Sequence, residues 1–191
     1  MGLPKRNAQH LTYADYGQWP KDERFELIDG MAYAMGPAPL RRHQVFVGEL
    51  FRQIANTLKG KPCQPFIAPF DVRLPKSDQP DAQTDTVVQP DISVVCDPEK
   101  LDERGCRGAP DWIIEVISPT TASHDHILKR QVYERSGVRE YWLVHPVDRI
   151  VTVYRLVAGA YPRNEVYELS DTLVSTAVPE VSIDWSEFPV D

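Results

Sequence analysis

Two acidic residues in the sequence lie beside apolar segments that read as neighbouring strands. Asp91 is near the start of residues 89–96, and Glu115 is near the end of residues 111–117. Glycine and proline residues between these segments predict an antiparallel return, which brings the start of one strand beside the end of the next. Buried carboxylates are costly unless a cation compensates them, and oxygen ligands suit hard divalent ions. The pattern therefore predicts that Asp91 and Glu115 converge and bind Mg²⁺ or Mn²⁺.

Each of these carboxylates also has a purely structural interpretation. Asp91 follows a proline, and aspartate in such a position is a common turn residue. Glu115 interrupts an apolar run that otherwise predicts a fully buried strand. A buried ion pair with a lysine would explain Glu115 as well, because structural ion-pair networks resemble functional sites.

The lysine that could complete such a site is displaced in this sequence. Side chains alternate along a strand, so a lysine acting from the same face as Glu115 would occupy position 117, where Ile117 stands. A helix predicted over residues 125–135 supplies Lys129 on the same face as its apolar side chains. The alternative is that Lys129 pairs with Asp125, one turn away, and extends its amine to solvent.

Further candidates for accessory roles lie near these segments. Glu26, before an Asp-Gly turn, is either a third acidic group of the site or a half-exposed strand residue. His43 begins a predicted helix, where an anion contact is favourable, although a capping or packed histidine is the alternative. Tyr133 is expected in the core with its hydroxyl hydrogen-bonded. His124 and His126 are expected on a solvated helix start, because residues so close in sequence do not face one another on a helix.

The elements that must position these residues form a mixed α/β order. An Asp-Gly turn predicts a hairpin, and apolar periodicity predicts helices and strands after it. The predicted elements are a hairpin over 24–35, a helix over 43–58, a strand over 66–74 broken by Pro69, the two carboxylate strands, the helix over 125–135, a strand over 140–144, and a closing meander over 150–174. No linker interrupts them, so we expect one domain over residues 1–191, with its core at about 13–173.

Composition restricts the classes of function. The chain has 191 residues, 42% of them hydrophobic, and no apolar run approaches the roughly 18–20 residues of a membrane span. No secretory signal is recognisable at the N-terminus, so we expect a cytoplasmic protein without a membrane partner. The net charge of −7 opposes nonspecific attraction to nucleic acid without excluding local basic contacts. Cys63, Cys96 and Cys106 are odd in number and widely spaced, and we expect neither a zinc site nor a disulfide.

Ordered segments over about residues 13–173 resemble the Uma-two family of restriction endonucleases, a branch of the PD-(D/E)xK nuclease superfamily. The segments that carry the resemblance are residues 25–30, His43, residues 89–91, 108–111 and 114–120, Asp125 with Lys129 and Tyr133, and residues 137–142.

The resemblance implies a restriction-endonuclease-like core, in which a mixed central sheet is flanked by helices, and metal-dependent cleavage of phosphodiester bonds in DNA. It assigns the metal to Asp91, Glu115 and the backbone carbonyl of Val116. Lys129 looks like a migrated replacement for the lysine that the superfamily places at the position of Ile117. By analogy with restriction-type enzymes, a homodimer is also expected.

Three functions therefore remain open on the sequence. The first is a metal-dependent endonuclease acting on DNA. The second is a catalytically degenerate protein of the same fold that binds nucleic acid or a protein partner. The third is a hydrolase of another phosphate ester, because a carboxylate pair does not specify the ester.

Overall fold

The computed structural model describes residues 10–20, 24–36, 38–118 and 124–188, with the backbone alone at 124–126. Two six-stranded mixed sheets and a few helices make up most of this part of the chain. No helix within the described ranges is both long enough and apolar enough to cross a membrane.

The elements follow one another in an order close to the predicted one. The helices are α1 (Tyr13–Tyr16), α2 (Arg41–Leu58) and α3 (Arg130–Ser136), and α3 continues directly from a π-helical segment, His124–Lys129. The strands are β1 (Phe25–Ile28), β2 (Met31–Ala34), β3 (Gln64–Ile67), β4 (Val72–Arg73), β5 (Val87–Val88), β6 (Ile92–Val95), β7 (Leu101–Asp102), β8 (Gly105–Arg107), β9 (Trp112–Val116), β10 (Glu140–His145), β11 (Ile150–Arg155), β12 (Asn164–Glu168), β13 (Thr172–Val174) and β14 (Ser182–Asp184).

The chain passes repeatedly between the two sheets. The first sheet has the order β2-β1-β5-β4-β8-β7, the second has the order β12-β11-β10-β9-β6-β3, and β13 pairs with β14 separately. Parallel pairing occurs between β4 and β8 and between β9 and β10. The chain crosses from the second sheet to the first between β3 and β4, and it returns between β5 and β6. The mixed fold class predicted from the sequence is confirmed.

Two apolar clusters cover the two faces of the second sheet. Even-numbered side chains of β9 pack against α2 and the C-terminal segment, in a cluster that includes Leu50, Ile54, Trp112, Trp142 and Trp185. Odd-numbered side chains of β9 and β10 pack against α3 and the first sheet, in a cluster that includes Ile28, Val88, Ile113, Tyr133 and Tyr141. The alternation of side chains along β9 therefore directs Glu115 toward α3 and the first sheet.

Local sequence signals account for the elements that frame this face. The β1–β2 hairpin turns at Asp29 and Gly30, whose φ angles of 50° and 74° suit a tight turn of the strands. Helix α3 ends at Gly137, which has a φ of 88° and closes the helix in the left-handed conformation.

Long-range pairing overturns two expectations about the strands. The predicted strand over 66–74 divides at Pro69 into β3 and β4, which belong to different sheets. The predicted meander ends at β12, because β13 leaves it to pair with β14, a strand that the sequence analysis did not identify.

The expectation that the cysteines form no disulfide is also wrong. Antiparallel pairing of β3 with β6 brings Cys63 opposite Cys96, and the two sulfur atoms are bonded. Cys106 is a buried free cysteine, and burial raises the pKa of its thiol to about 12.

Candidate active site

The chemically interesting residues lie where the chain returns from the first sheet to the second. Residues 89–91 connect β5 to β6, so Asp91 stands at the junction of the sheets. Glu26 lies on β1 of the first sheet and Glu115 lies on β9 of the second. A side chain between the sheets can therefore contact acids from both.

Asp91 and Glu115 are brought together by the antiparallel pairing of β6 with β9. Ile92 pairs with Ile114, which places the preceding Asp91 beside Glu115. The backbone N–H of Asp91 donates to Glu115 Oε2 at 3.3 Å, and the backbone N–H of Val116 donates to Asp91 Oδ2 at 2.8 Å. The convergence predicted from the two apolar segments is observed.

Lys129 lies inside the molecule and bridges the two sheets. Its residue is 3% exposed, and its Nζ lies 2.9 Å from Glu115 Oε1 and 3.0 Å from Glu26 Oε1. The alternative in which the amine extends to solvent is wrong, because the helix that carries Lys129 turns its apolar face toward the first sheet. The predicted partner Asp125 has a side chain outside the described residues.

Glu26 is fully buried, so its interpretation as a half-exposed strand residue is wrong. One of its oxygens, Oε1, also accepts a hydrogen bond from the backbone N–H of Gln89 at 2.9 Å. The other oxygen, Oε2, is buried without a hydrogen-bond partner among the described residues. A buried carboxylate oxygen left unpaired is expensive in a site that serves stability alone.

Tyr133 and His43 approach the two carboxylates from the helices. The Tyr133 hydroxyl donates to Glu115 Oε1 at 2.9 Å from a fully buried position on α3. His43, in the first turn of α2, has its Nε2 3.2 Å from Asp91 Oδ2. The side chains of His124 and His126 lie outside the described residues.

Two of the three carboxylates, those of Glu26 and Glu115, thus share one ammonium. The third, that of Asp91, lies beside the His43 imidazole instead. The second oxygen of Asp91, Oδ1, accepts no hydrogen bond from the described residues, and the Asp91 side chain is 20% exposed.

This donor set suits one kind of metal ion. No group of three or more His, Cys, Asp or Glu side chains within the described ranges is arranged as a metal cage. Two carboxylates with a backbone carbonyl match Mg²⁺, which retains water ligands and uses one or two protein carboxylates with substrate oxygens. Asp91, Glu115 and the Val116 carbonyl could therefore hold such an ion.

Gln89 and Asp71 support this site through contacts that the sequence analysis did not predict. The Gln89 side chain donates to Asp71 Oδ1 at 2.8 Å while its backbone holds Glu26. Asp71 also accepts a hydrogen bond from the Tyr16 hydroxyl at 2.9 Å. The position of Gln89 directly before Pro90-Asp91 was the available signal, but only the register of the sheets shows what it contacts.

Comparison with known proteins is consistent with this geometry. A crystal structure of a "putative nuclease belonging to DUF820" from Anabaena variabilis ATCC 29413 superposes with a TM-score of 0.72 at 21% identity, covering 93% of this chain and 97% of that one. At this level of identity the likeness shows the fold.

Sequence relatives point in the same direction. An "Uncharacterized protein slr1290" from Synechocystis sp. (strain ATCC 27184 / PCC 6803 / Kazusa) is 29% identical over 154 residues, which is 79% of this chain and 77% of that protein. The model of the family described as "Uma2: Putative restriction endonuclease" matches residues 13–186. Since this match covers most of the sequence, the chain belongs to the Uma2 family.

Proposed function

We propose that the protein is a metal-dependent endonuclease that hydrolyses phosphodiester bonds in DNA. The observation that carries the proposal is the convergence of three carboxylates: Lys129 lies between Glu26 and Glu115, and Asp91 lies beside Glu115 and His43. A buried network that serves stability is expected to balance its charges, because an uncompensated buried charge costs several kcal/mol, roughly 3–5 when a pair is broken. The three carboxylates outnumber the one lysine ammonium, and a divalent cation would offset this excess of acidic groups.

Asp91 and Glu115, with the Val116 carbonyl, would hold that ion. A bound Mg²⁺ or Mn²⁺ would polarise the phosphate and lower the pKa of a bound water. The chain itself fixes the two carboxylates: the Val116 N–H orients Asp91, while Lys129 and Tyr133 orient Glu115. Such fixed donors keep the ligand oxygens in place before substrate arrives.

Lys129 would act on the substrate side of the site. An ammonium carries three donors and a full charge, so it can orient a water as well as hold carboxylates. Its charge would offset the negative charge that develops on the phosphate oxygens in the transition state. This role replaces the lysine that is absent from position 117.

The deciding experiment is metal-dependent nicking of supercoiled DNA by variants of the two carboxylates. Asp91→Ala and Glu115→Gln should each lower the nicking rate by about 10²-fold or more, the effect of losing one preorganised electrostatic group. Glu168→Gln is the matched control, because it makes the same chemical change at an exposed position on β12. Nicking that survives unchanged in both site variants would refute the proposal.

A non-catalytic protein of the same fold is the second candidate, favoured by Ile117 and by the net charge of −7. Calorimetric titration with Mn²⁺ separates the two. Tight binding that disappears in Glu115→Gln speaks against a degenerate site. Duplex, single-stranded and small phosphodiester substrates would then distinguish a nuclease from a hydrolase of another phosphate ester.

A further inference from the structure

A pocket lies next to the candidate active site. It has a volume of about 430 Å³ and is lined by the segment around α1, the start of β1, and the side chains of Asp71 and Gln89. This volume is within the range of about 300–1,000 Å³ that is usual for small-molecule and cofactor sites.

Aromatic side chains form one wall of the pocket. The rings of Tyr16 and Trp19 are 5.1 Å apart, and the rings of Trp19 and Phe25 are also 5.1 Å apart. Trp19 is partly exposed, whereas Trp112, Trp142 and Trp185 are buried in the core. An indole in this position can stack on a flat, polarisable ligand.

Polar groups also line the pocket. Asp71 Oδ1 accepts hydrogen bonds from the Tyr16 hydroxyl and from Gln89, and Gln89 Oε1 accepts from Arg24 at 2.7 Å. Asp71 Oδ2 accepts no hydrogen bond from the described part of the chain. Burial and the charge of Asp71 raise the pKa of Tyr16, so its hydroxyl remains a donor.

The pocket and the candidate active site share a wall. Gln89 lines the pocket with its side chain, while its backbone N–H binds Glu26 Oε1 at 2.9 Å. Gln89 precedes Asp91 by two residues, so their Cα atoms are at most about 7 Å apart. Pro69, another lining residue, follows Ala68, whose N–H donates to the Asp91 carbonyl at 3.0 Å.

We propose that this pocket binds an unstacked nucleobase of the strand whose phosphate lies at Asp91. The base would stack against Trp19, and an exocyclic amino group would donate to Asp71 Oδ2. A base inside a duplex is stacked on both faces, so the pocket would favour single-stranded or locally opened DNA. This inference rests on the proposed function, since it assumes a nucleic-acid strand at the carboxylates.

Trp19 allows the proposal to be tested without catalysis. Short single-stranded DNA would be titrated in EDTA and about 0.1 M salt, where the screening length is about 10 Å, while tryptophan fluorescence is followed. Stacking on Trp19 should quench the wild-type signal and leave Trp19→Phe unquenched. Affinity measured by fluorescence anisotropy of a labelled strand should fall roughly 5- to 150-fold in Trp19→Ala, the range found when one stacking residue is removed.

An abasic strand sharpens the result. Wild-type protein should bind it more weakly than the complete strand, and Trp19→Ala should bind both strands equally. Val157→Ala, at an exposed apolar site outside the pocket, should behave as wild type. Absent quenching, equal quenching in Trp19→Phe, or equal wild-type affinity for the two strands would overturn the proposal. Because no metal is present, failed DNA nicking with intact quenching would reject the nuclease and retain the pocket.

Discussion

Two buried glutamates on adjacent parallel strands differ in the groups that bind their carboxylates. Glu115 lies toward the end of β9 and Glu140 lies at the start of β10, and both are almost fully inaccessible to solvent. Glu115 shares the Lys129 ammonium with Glu26. Glu140 is surrounded by hydrogen-bond donors.

The donors around Glu140 come mainly from neutral groups. Its Oε2 accepts hydrogen bonds from the Ser175 hydroxyl, from the backbone and hydroxyl of Thr176, and from the backbone of Ala177. Its Oε1 accepts one from the Trp142 indole at 2.9 Å. The carboxylate thus fastens the segment before β14 to the second sheet.

This difference distinguishes a buried carboxylate that stabilises the fold from one that serves a function. At Glu140 the donors suffice for the acceptor, as expected where the group stabilises the fold. Beside Glu115, the Oε2 atom of Glu26 is left unpaired among the described residues. An arrangement that costs stability is expected where a function requires it.

The largest expected effect is at the structural glutamate. Glu140→Ala should lower the free energy of unfolding by about 3–5 kcal/mol, because several buried donors lose their acceptor at once. Urea denaturation followed by circular dichroism measures this change. A loss below about 1 kcal/mol would mean that Glu140 does not organise the C-terminal segment.

Removing the shared cation should have the next largest effect. Lys129→Met leaves Glu26 and Glu115 buried together, and the free energy of unfolding should fall by about 2–4 kcal/mol at neutral pH.

Mn²⁺ provides the control for this variant. If the surplus charge is a metal site, Mn²⁺ should raise the melting temperature of Lys129→Met more than that of the wild type, because the ion replaces the lost cation. If Mn²⁺ raised the melting temperature of both proteins equally, the carboxylates around Lys129 would not form a metal site.

The sequence predicted which residues surround Glu115, but it did not predict the partners of Glu140. Asp91 and Glu115 belong to strands that are consecutive in the second sheet and pair antiparallel, and Lys129 lies on the apolar stripe of the next helix. Local periodicity therefore indicated that these three residues converge. Glu140 was read only as the first residue of a buried strand, because its partners lie 35–37 residues away.

The same limit explains the errors in the fold. The pairing of Cys63 with Cys96 and the departure of β13 toward β14 both depend on the register of distant segments. Glu26 reaches the site through the packing of one sheet against the other, which alternation within a strand does not reveal. Periodicity indicates on which face of a strand or helix a side chain lies, but tertiary packing determines which side chains it contacts there.

The same chemical change at both glutamates should separate activity from stability. Glu115→Gln should lower DNA nicking by about 10²-fold, yet change the free energy of unfolding by less than about 1 kcal/mol. The amide oxygen still accepts from Tyr133, and the new NH₂ group faces the long contact with the Asp91 N–H at 3.3 Å. At Glu140 the same NH₂ group would face the Trp142 indole at 2.9 Å. Glu140→Gln should do the reverse and cost about 2 kcal/mol, because the new NH₂ group faces donors. Nicking assays and urea denaturation of both variants test this contrast. If the two variants lost activity and stability to the same extent, Glu115 and Glu140 would not differ in role.

The smallest expected effect is that of removing the cation beside Glu140. Arg155 Nε lies 3.5 Å from Glu140 Oε1, and its side chain is 24% exposed. Arg155→Met should lower the free energy of unfolding by no more than about 1 kcal/mol, as is typical of partly exposed ion pairs. The neutral donors already satisfy Glu140, so its carboxylate should not depend on the guanidinium. Urea denaturation of Arg155→Met beside Lys129→Met measures how far each glutamate depends on its cation. Equal losses in the two variants would show that both acids are ordinary ion pairs, and the surplus of negative charge around Lys129 would then carry no functional meaning.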